Sequence, residues 1–131
     1  LSGQEIAASP AMGRSTMTYL SHDEYFATVP MDVQPRLAQI QAKVESLIPG
    51  ASRCIGYNMP AFRDKRIFFY FAAFKKHIGI YPPVSRDAAL IRELEPFRGE
   101  KGNLSFAHHQ PLPIELIGRV AVALHREYAL K

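Results

Sequence analysis

The stretch Arg66–Pro83, "RIFFYFAAFKKHIGIYPP", carries the strongest secondary-structure signal in the chain. Its first half is a run of aromatic and apolar residues of the kind that suits a pleated sheet. Its second half alternates isoleucines with His77, Gly79 and Tyr81, which is the period of a strand with two different faces. Because only two lysines separate the halves, we expect the two strands to form an antiparallel pair.

We expect a third strand before this pair and a fourth after it. Arg53–Phe62, "RCIGYNMPAF", is extended up to a turn near Asn58 to Pro60. Leu104–Phe106 follows a Gly–Asn turn and has apolar residues at alternate positions. The chain therefore predicts a mainly antiparallel sheet of about four strands.

Four helices complete the predicted domain. Ser21 and Glu24 form a capping-box pattern at the start of the first helix, and an apolar stripe at three- and four-residue spacings marks the second. Ser85 is the expected cap of a helix over residues 86–95, and Pro113 starts the last helix. The order α-α-β-β-β-α-β-α predicts an α+β fold in which helices pack on the sheet.

The length and composition fit one globular domain. The chain has 131 residues, of which 47% are hydrophobic and 21% charged. We expect residues 1–16 to be a flexible leader or an expression remnant and residues 17–131 to form the domain. No run of about 18 apolar residues and no secretory signal occurs, and the lone Cys54 has no partner for an internal disulfide. These features predict a cytoplasmic protein without a membrane partner.

Three motifs occur in a fixed order along the chain: "GYNMPAF", "YFAAFKKHIGIYP" and "KGNLSFAHHQPLPIELI". Through them the chain resembles the YdhG-like family of small bacterial domains of unknown function, over residues 19–128. Some members are described as frataxin-like intracellular iron chaperones. The resemblance therefore implies the fold given above and, as a function, the binding of iron or a small ligand, with no cofactor required.

The carboxylates of Asp23 and Glu24 are the candidate iron ligands, with His22 beside them. Iron transfer calls for exposed oxygen ligands that hold the ion loosely. However, adjacent helical residues point about 100° apart, and a net charge of +4 does not favour the capture of a cation. The alternative interpretation is a solvated helix face.

The sequence contains no recognised catalytic motif. We find no nucleophile elbow, phosphate-binding glycine loop or zinc-ligand spacing. Cys54 with His77 as its base is one hypothesis, against an inert thiol in an apolar strand. Histidines 108 and 109 suggest a transition-metal site, against ordinary turn residues. Since the positive residues are scattered, we also do not expect nucleic acid as a partner.

One group of residues is a candidate ligand-binding face. Its members are Tyr57, Met59, Phe62, Tyr70, Lys75, His77, Tyr81 and Lys101. If the outward alternates of the strands share one face, they form an aromatic floor with polar groups that orient an anion. The alternative is that the sheet aromatics are simply core. Two functions follow: a binding protein for a small ligand or metal, or a protein-interaction or regulatory module that uses the same aromatic surface.

Overall fold

The computed structural model describes residues 18–99 and 103–130, so the predicted leader and Lys101 lie outside the described residues. A single antiparallel sheet of five strands carries helices on one face, which confirms the predicted α+β class. The sheet has one strand more than the four expected. Within the described part of the chain, no helix has the length and apolar character needed to cross a membrane.

The elements follow each other along the chain with short connections. The helices are α1 (His22–Phe26), α2 (Gln34–Leu47), α3 (Ala88–Glu93) and α4 (Ile114–Leu124), with a 3₁₀ turn at Glu95–Phe97 and a π-helical turn at His125–Ala129. The strands are β1 (Ser52–Gly56), β2 (Met59–Asp64), β3 (Arg66–Ala73), β4 (His77–Tyr81) and β5 (Leu104–Ala107). The strands lie in the sheet in the same order as in the chain, which makes a meander.

The fifth strand arises because the predicted first strand is a hairpin. Tyr57 and Asn58 both have positive φ, 51° and 60°, and the pair Gly56–Met59 closes the loop around them. Positive φ at both loop residues is the type I′ geometry, whose twist matches that of the flanking strands. Asn58 tolerates this conformation, whereas a tyrosine there costs about 1 kcal/mol or more. The sequence predicts a turn near Asn58 to Pro60, but it does not predict that the residues after it, Met59–Asp64, form a strand of their own.

The face of the sheet that meets the helices, called the inner face here, carries the aromatic core. Phe62 and Phe71 stack with ring centroids 6.0 Å apart, and the His22 ring of α1 meets them edge-on. A β-bulge between β2 and β3 sets the register, because Phe62 pairs with Phe69 while Arg63 already pairs with Ile67. The bulged residue Phe68 is as fully buried as its neighbour Phe69. Strict alternation would have sent one of the two outward.

The connection from β4 to α3 is held by the C-terminal turn. The buried Glu127 carboxylate accepts hydrogen bonds from the backbone N–H groups of Ser85 and Arg86 and from the Ser85 hydroxyl, at 3.3 Å or less. Because its hydroxyl is used here, Ser85 is not the helix cap that the sequence suggests. Asp87 caps α3 instead, accepting from the Leu90 N–H, and the helix is shorter than predicted.

Candidate ligand-binding face

The opposite side of the sheet, called the outer face here, carries three of the predicted site residues close together. Tyr70 and Tyr81 pair directly across β3 and β4, and His77 lies on the same side of β4 because it is four residues before Tyr81. Met59 joins them, because it pairs with Gly56, whose missing Cβ would touch the Tyr70 ring. All four side chains are half-buried. The outward alternates of β2, β3 and β4 thus form one surface.

Two further predicted residues flank the outer face and one does not belong to it. Tyr57, at the tip of the β1–β2 hairpin, is 86% exposed and holds its ring 5.6 Å from the Tyr70 ring. Lys75 is exposed in the turn between β3 and β4. Phe62, in contrast, is fully buried on the inner face. The inclusion of Phe62 in the binding face was wrong, because alternation along β2 turns it toward the helices.

Small residues lie beneath the aromatic rings of the outer face. Ala61, Ala72 and Gly79 occupy the central outward positions and are almost completely covered. A Cβ on Gly79 would lie 2.7 Å from the Tyr81 hydroxyl oxygen and 3.1 Å from the Phe74 ring, so both rings lie over this glycine. The rings therefore rest on backbone and present a broad aromatic surface rather than a deep cavity.

The charge of the outer face is positive. Arg63 follows the buried Phe62 in β2 and so points outward, and Lys75 and Lys76 lie at the β3–β4 turn. None of the outward positions in the five described strands carries a carboxylate. An anion at this surface would therefore meet cations and aromatic edges without a repelling charge.

Burial sets the protonation of the polar groups on the outer face. It raises the pKa of the Tyr70 and Tyr81 hydroxyls, so both remain neutral donors. The His77 ring stacks on Phe74 at 5.1 Å, and burial, followed by the nearby His108, lowers the pKa of His77. Near neutral pH His77 is consequently an uncharged hydrogen-bonding group, and the positive charge of the surface comes from its arginine and lysine residues.

The candidate iron ligands do not converge on one point. Asp23 and Glu24 are exposed on α1, and the Ser21 hydroxyl caps the helix by accepting from the Glu24 N–H as predicted. The Glu24 carboxylate accepts from the Leu20 N–H and not, as predicted, from Ser21. His22 points the other way, into the core. Nowhere in residues 18–99 and 103–130 do three or more His, Cys, Asp or Glu side chains form a group that could hold a metal. This donor set does not fit an iron ion.

His22 is a structural residue with all its hydrogen bonds made inside the protein. Its Nε2–H donates to the carbonyl oxygens of Cys54 and Ala61, and its Nδ1 accepts from the Gln41 side-chain amide. This arrangement requires the neutral ring, and burial lowers the pKa of His22 in spite of the two backbone hydrogen bonds. The residue fastens α1 to the first hairpin.

Protonation of His22 leads to a testable pH dependence of stability. In the unfolded chain an ordinary histidine takes up a proton near pH 6.5, whereas the folded protein resists it, so the unfolded state binds more protons as the pH falls. The free energy of unfolding should be constant between about pH 7 and pH 8, below the range where thiols titrate, and decline below about pH 6.5. Urea unfolding at a series of pH values measures this slope.

A histidine variant identifies the source of the slope. His22→Gln should be less stable at pH 7.5 but should lose less further stability on going to pH 5.5 than the wild type does. His77 contributes in the same direction, so His77→Gln is measured alongside, and the exposed His109→Gln serves as the control. If His22→Gln kept the full slope, the neutral buried ring would not be its cause.

Cys54 does not form a nucleophilic site with His77. The two residues belong to β1 and β4, which are three strand spacings apart, a distance of about 14 Å. Burial raises the pKa of the Cys54 thiol, which keeps it protonated. The thiol–imidazole hypothesis is therefore wrong for the folded protein.

Sequence reasoning missed the basic residues that lie together only after folding. Arg63 contributes to the outer face, and Arg66, Arg86 and Arg126 line two adjoining hollows on the helical side of the molecule. Sixty positions separate the first and last of the three hollow-lining arginines, so no sequence window contains them. These arginines are found by counting the unpaired cations on each surface of the folded protein, and that count requires the structure.

Comparison with known proteins identifies the fold. No protein-family model matches the sequence, and no curated protein matches it. Among solved structures, the chain is similar to the crystal structure of YdhG from Bacillus subtilis, a protein of the DUF1801 family. The match has a TM-score of 0.67 at 16% identity and covers 82% of this chain and 90% of that one. The fold implied by the YdhG-like resemblance is therefore confirmed over most of the chain.

Proposed function

We propose that this YdhG-like protein is a non-catalytic binding protein whose outer face binds a flat aromatic ligand that carries negative charge. The observation that supports the proposal is the row of rings from Tyr57 through Tyr70 to Tyr81, laid over alanine and glycine positions, with Arg63, Lys75 and Lys76 as the charged residues nearby. Aromatic rings stack on such a floor, and arginine or lysine side chains attract an anion.

The shape of the surface limits the kind of ligand. The Tyr57 and Tyr70 rings are 5.6 Å apart and inclined at 47°, so a flat ligand can stack on one ring and contact the edge of the next. The strained and exposed position of Tyr57 supports the same interpretation, because strain retained at an exposed aromatic residue is typical of a functional position. Iron handling, which the family resemblance implies, lacks a matching set of ligands among the described residues.

A second candidate function is a protein-interaction module that uses the same rings. The observation that favours it is the 86% exposure of Tyr57 at a hairpin tip, since exposed aromatic residues commonly anchor protein partners. The two functions make different predictions for small flat anions. The ligand-binding function requires such anions to bind, whereas the protein-interaction function does not.

Flavin mononucleotide is a suitable probe because its ring system is flat, its phosphate is charged and stacking on tyrosine quenches its fluorescence. We expect saturable quenching by the wild-type protein and weaker quenching of riboflavin, which lacks the phosphate. Tyr81→Ala should reduce the affinity about tenfold, the effect typical of removing one stacking ring. The melting temperature should change little, because the Tyr81 side chain is half-buried.

The control variant is Tyr128→Ala, since Tyr128 is an exposed tyrosine of the C-terminal turn, away from the outer face. Its affinity for flavin mononucleotide should equal that of the wild type. Absence of saturable quenching by the wild-type protein, or equal losses in the two tyrosine variants, would contradict ligand binding at the outer face and leave the interaction module as the better interpretation.

A further inference from the structure

The helical side of the molecule contains a groove that takes no part in the function proposed for the outer face. It lies between α2, α4 and the start of α3, and its volume is about 500 Å³. A second hollow of about 250 Å³ adjoins it, since both are lined by Arg86 and Glu127. The main groove falls within the usual size range of small-molecule sites.

The floor of the groove is aliphatic. Leu47, Leu90, Val122 and Ala123 line it, and Leu47 is 44% exposed although it is a large apolar side chain. Among the described residues, none of those that line the main groove is aromatic. The surface therefore suits an alkyl chain, which gains from leaving water without any requirement for stacking. In this respect it differs from the outer face of the sheet.

The charged groups around the groove fall into two classes. The first class is already paired: Lys43 with Glu115 at 2.9 Å, and Arg119 with Glu93 at 2.7 Å. The lining carboxylates are also occupied, because Asp87 caps α3 and Glu127 accepts from Ser85 and Arg86. The two ion pairs cancel in charge, and the Asp87 and Glu127 carboxylates use their acceptor oxygens within the fold while they keep their negative charge.

The second class consists of three arginines at the shared end of the two hollows. Arg86 and Arg126 line the groove, and Arg66 lines the adjoining hollow with Arg86. Nothing in the described part of the chain accepts a hydrogen bond from any of their guanidinium groups. Guanidinium groups bind carboxylates and phosphates through two parallel hydrogen bonds.

From this combination we infer that the groove binds an anionic amphiphile, a linear aliphatic chain that ends in a carboxylate or phosphate. The chain lies along Leu47, Leu90 and Val122, and the anionic end meets Arg86 and Arg126. The lining of the groove is net positive in spite of the carboxylates nearby, because four cations, Lys43, Arg86, Arg119 and Arg126, outnumber the three carboxylates of Asp87, Glu115 and Glu127. This site and the outer face differ in both position and ligand chemistry.

Decanoate, kept below its micellar concentration, is the probe for a calorimetric titration of the full chain. We expect saturable binding of decanoate and at least tenfold weaker binding of 1-decanol, which has the same chain without the charge, and of acetate, which has the charge without the chain. Decyl phosphate tests the other head group, and its affinity relative to decanoate decides between a phosphate and a carboxylate ligand.

Two groove variants locate the site. The double replacement of Arg86→Gln with Arg126→Gln should weaken decanoate binding by about tenfold or more, since it removes the charged hydrogen-bond donors. Leu47→Glu changes an exposed floor residue to an anion and should weaken binding comparably. Thermal melting checks that both variants fold. Arg63→Gln, which removes an arginine from the outer face, is the matched control and should bind decanoate like the wild type.

The outcomes separate this inference from the proposed function. Loss of decanoate binding in the groove variants, with unchanged quenching of flavin mononucleotide, would support two independent sites. The inference is overturned if the wild type does not bind decanoate, if 1-decanol binds equally well, or if the double arginine variant keeps its affinity. Flavin binding at the outer face would be untouched by any of these three results.

Discussion

Phe71→Ala is expected to lower the free energy of unfolding by about 3–5 kcal/mol, the usual cost of removing a large aromatic ring from a packed core. Phe71 is fully buried and lies at the centre of the inner face, with Phe62, Phe69 and the His22 ring all within 6.0 Å between centroids. Its removal leaves a cavity that four elements border, and rigid strands cannot collapse into it. Urea unfolding followed by circular dichroism measures the loss.

The matched control for Phe71→Ala is Tyr81→Ala on the other face of the same sheet. Tyr81 is only half-buried and rests on the backbone of Gly79, so we expect its loss to cost about 1 kcal/mol. If Tyr81→Ala lowered the free energy of unfolding as much as Phe71→Ala, the outer face would be covered in the folded protein and Tyr81 would be a core residue.

Glu127→Ala is expected to have the second-largest effect, about 2–4 kcal/mol. The buried carboxylate is the acceptor for two backbone N–H groups and the Ser85 hydroxyl, and alanine leaves these donors without a partner. Glu127→Gln keeps one acceptor oxygen and should cost roughly half as much. Hydrogen exchange at Ser85 and Arg86 should accelerate in both variants, because the loop before α3 loses its anchor.

Glu115→Ala separates this anchoring role from the mere loss of a negative charge. Glu115 is a carboxylate of α4 with an ion pair to Lys43, but its side chain is 83% exposed, so its removal should cost less than about 1 kcal/mol. Similar losses for Glu115→Ala and Glu127→Ala would show that burial and the hydrogen bonds to the loop add nothing.

The sequence was a good guide to the elements whose signal is local. The aromatic run of β3, the alternation of β4 and the helix cap at Ser21 were all predictable, because each depends on neighbours within a few residues. The alternation in β4 also predicted correctly that His77 and Tyr81 share a side. These two of the eight candidate residues therefore followed from the period of a strand alone.

The errors occurred where distant residues determine the outcome. Ser85 has good capping chemistry, yet a carboxylate 42 positions later takes its hydroxyl. The bulge at Phe68 changes which side chains of β3 point to the inner face, and the neighbouring residues in the sequence do not predict it. The groove arginines come together only because α4 returns across the sheet. Local sequence patterns report the secondary-structure propensity of a few neighbouring residues. These features depend instead on tertiary contacts, which override that propensity.

The π-helical turn at His125–Ala129 fixes the number of residues that can separate two tertiary contacts. Hydrogen bonds in such a turn close around one residue more than in an α-helix, and in this turn His125 contacts Asp64 at 2.7 Å while Glu127 reaches the loop before α3. Deletion of a single residue here would tighten the turn and rotate everything beyond it by about 100°. Both contacts could then not form together, whatever side chains remained. We therefore expect the loss of one residue from this turn to be more damaging than most substitutions within it.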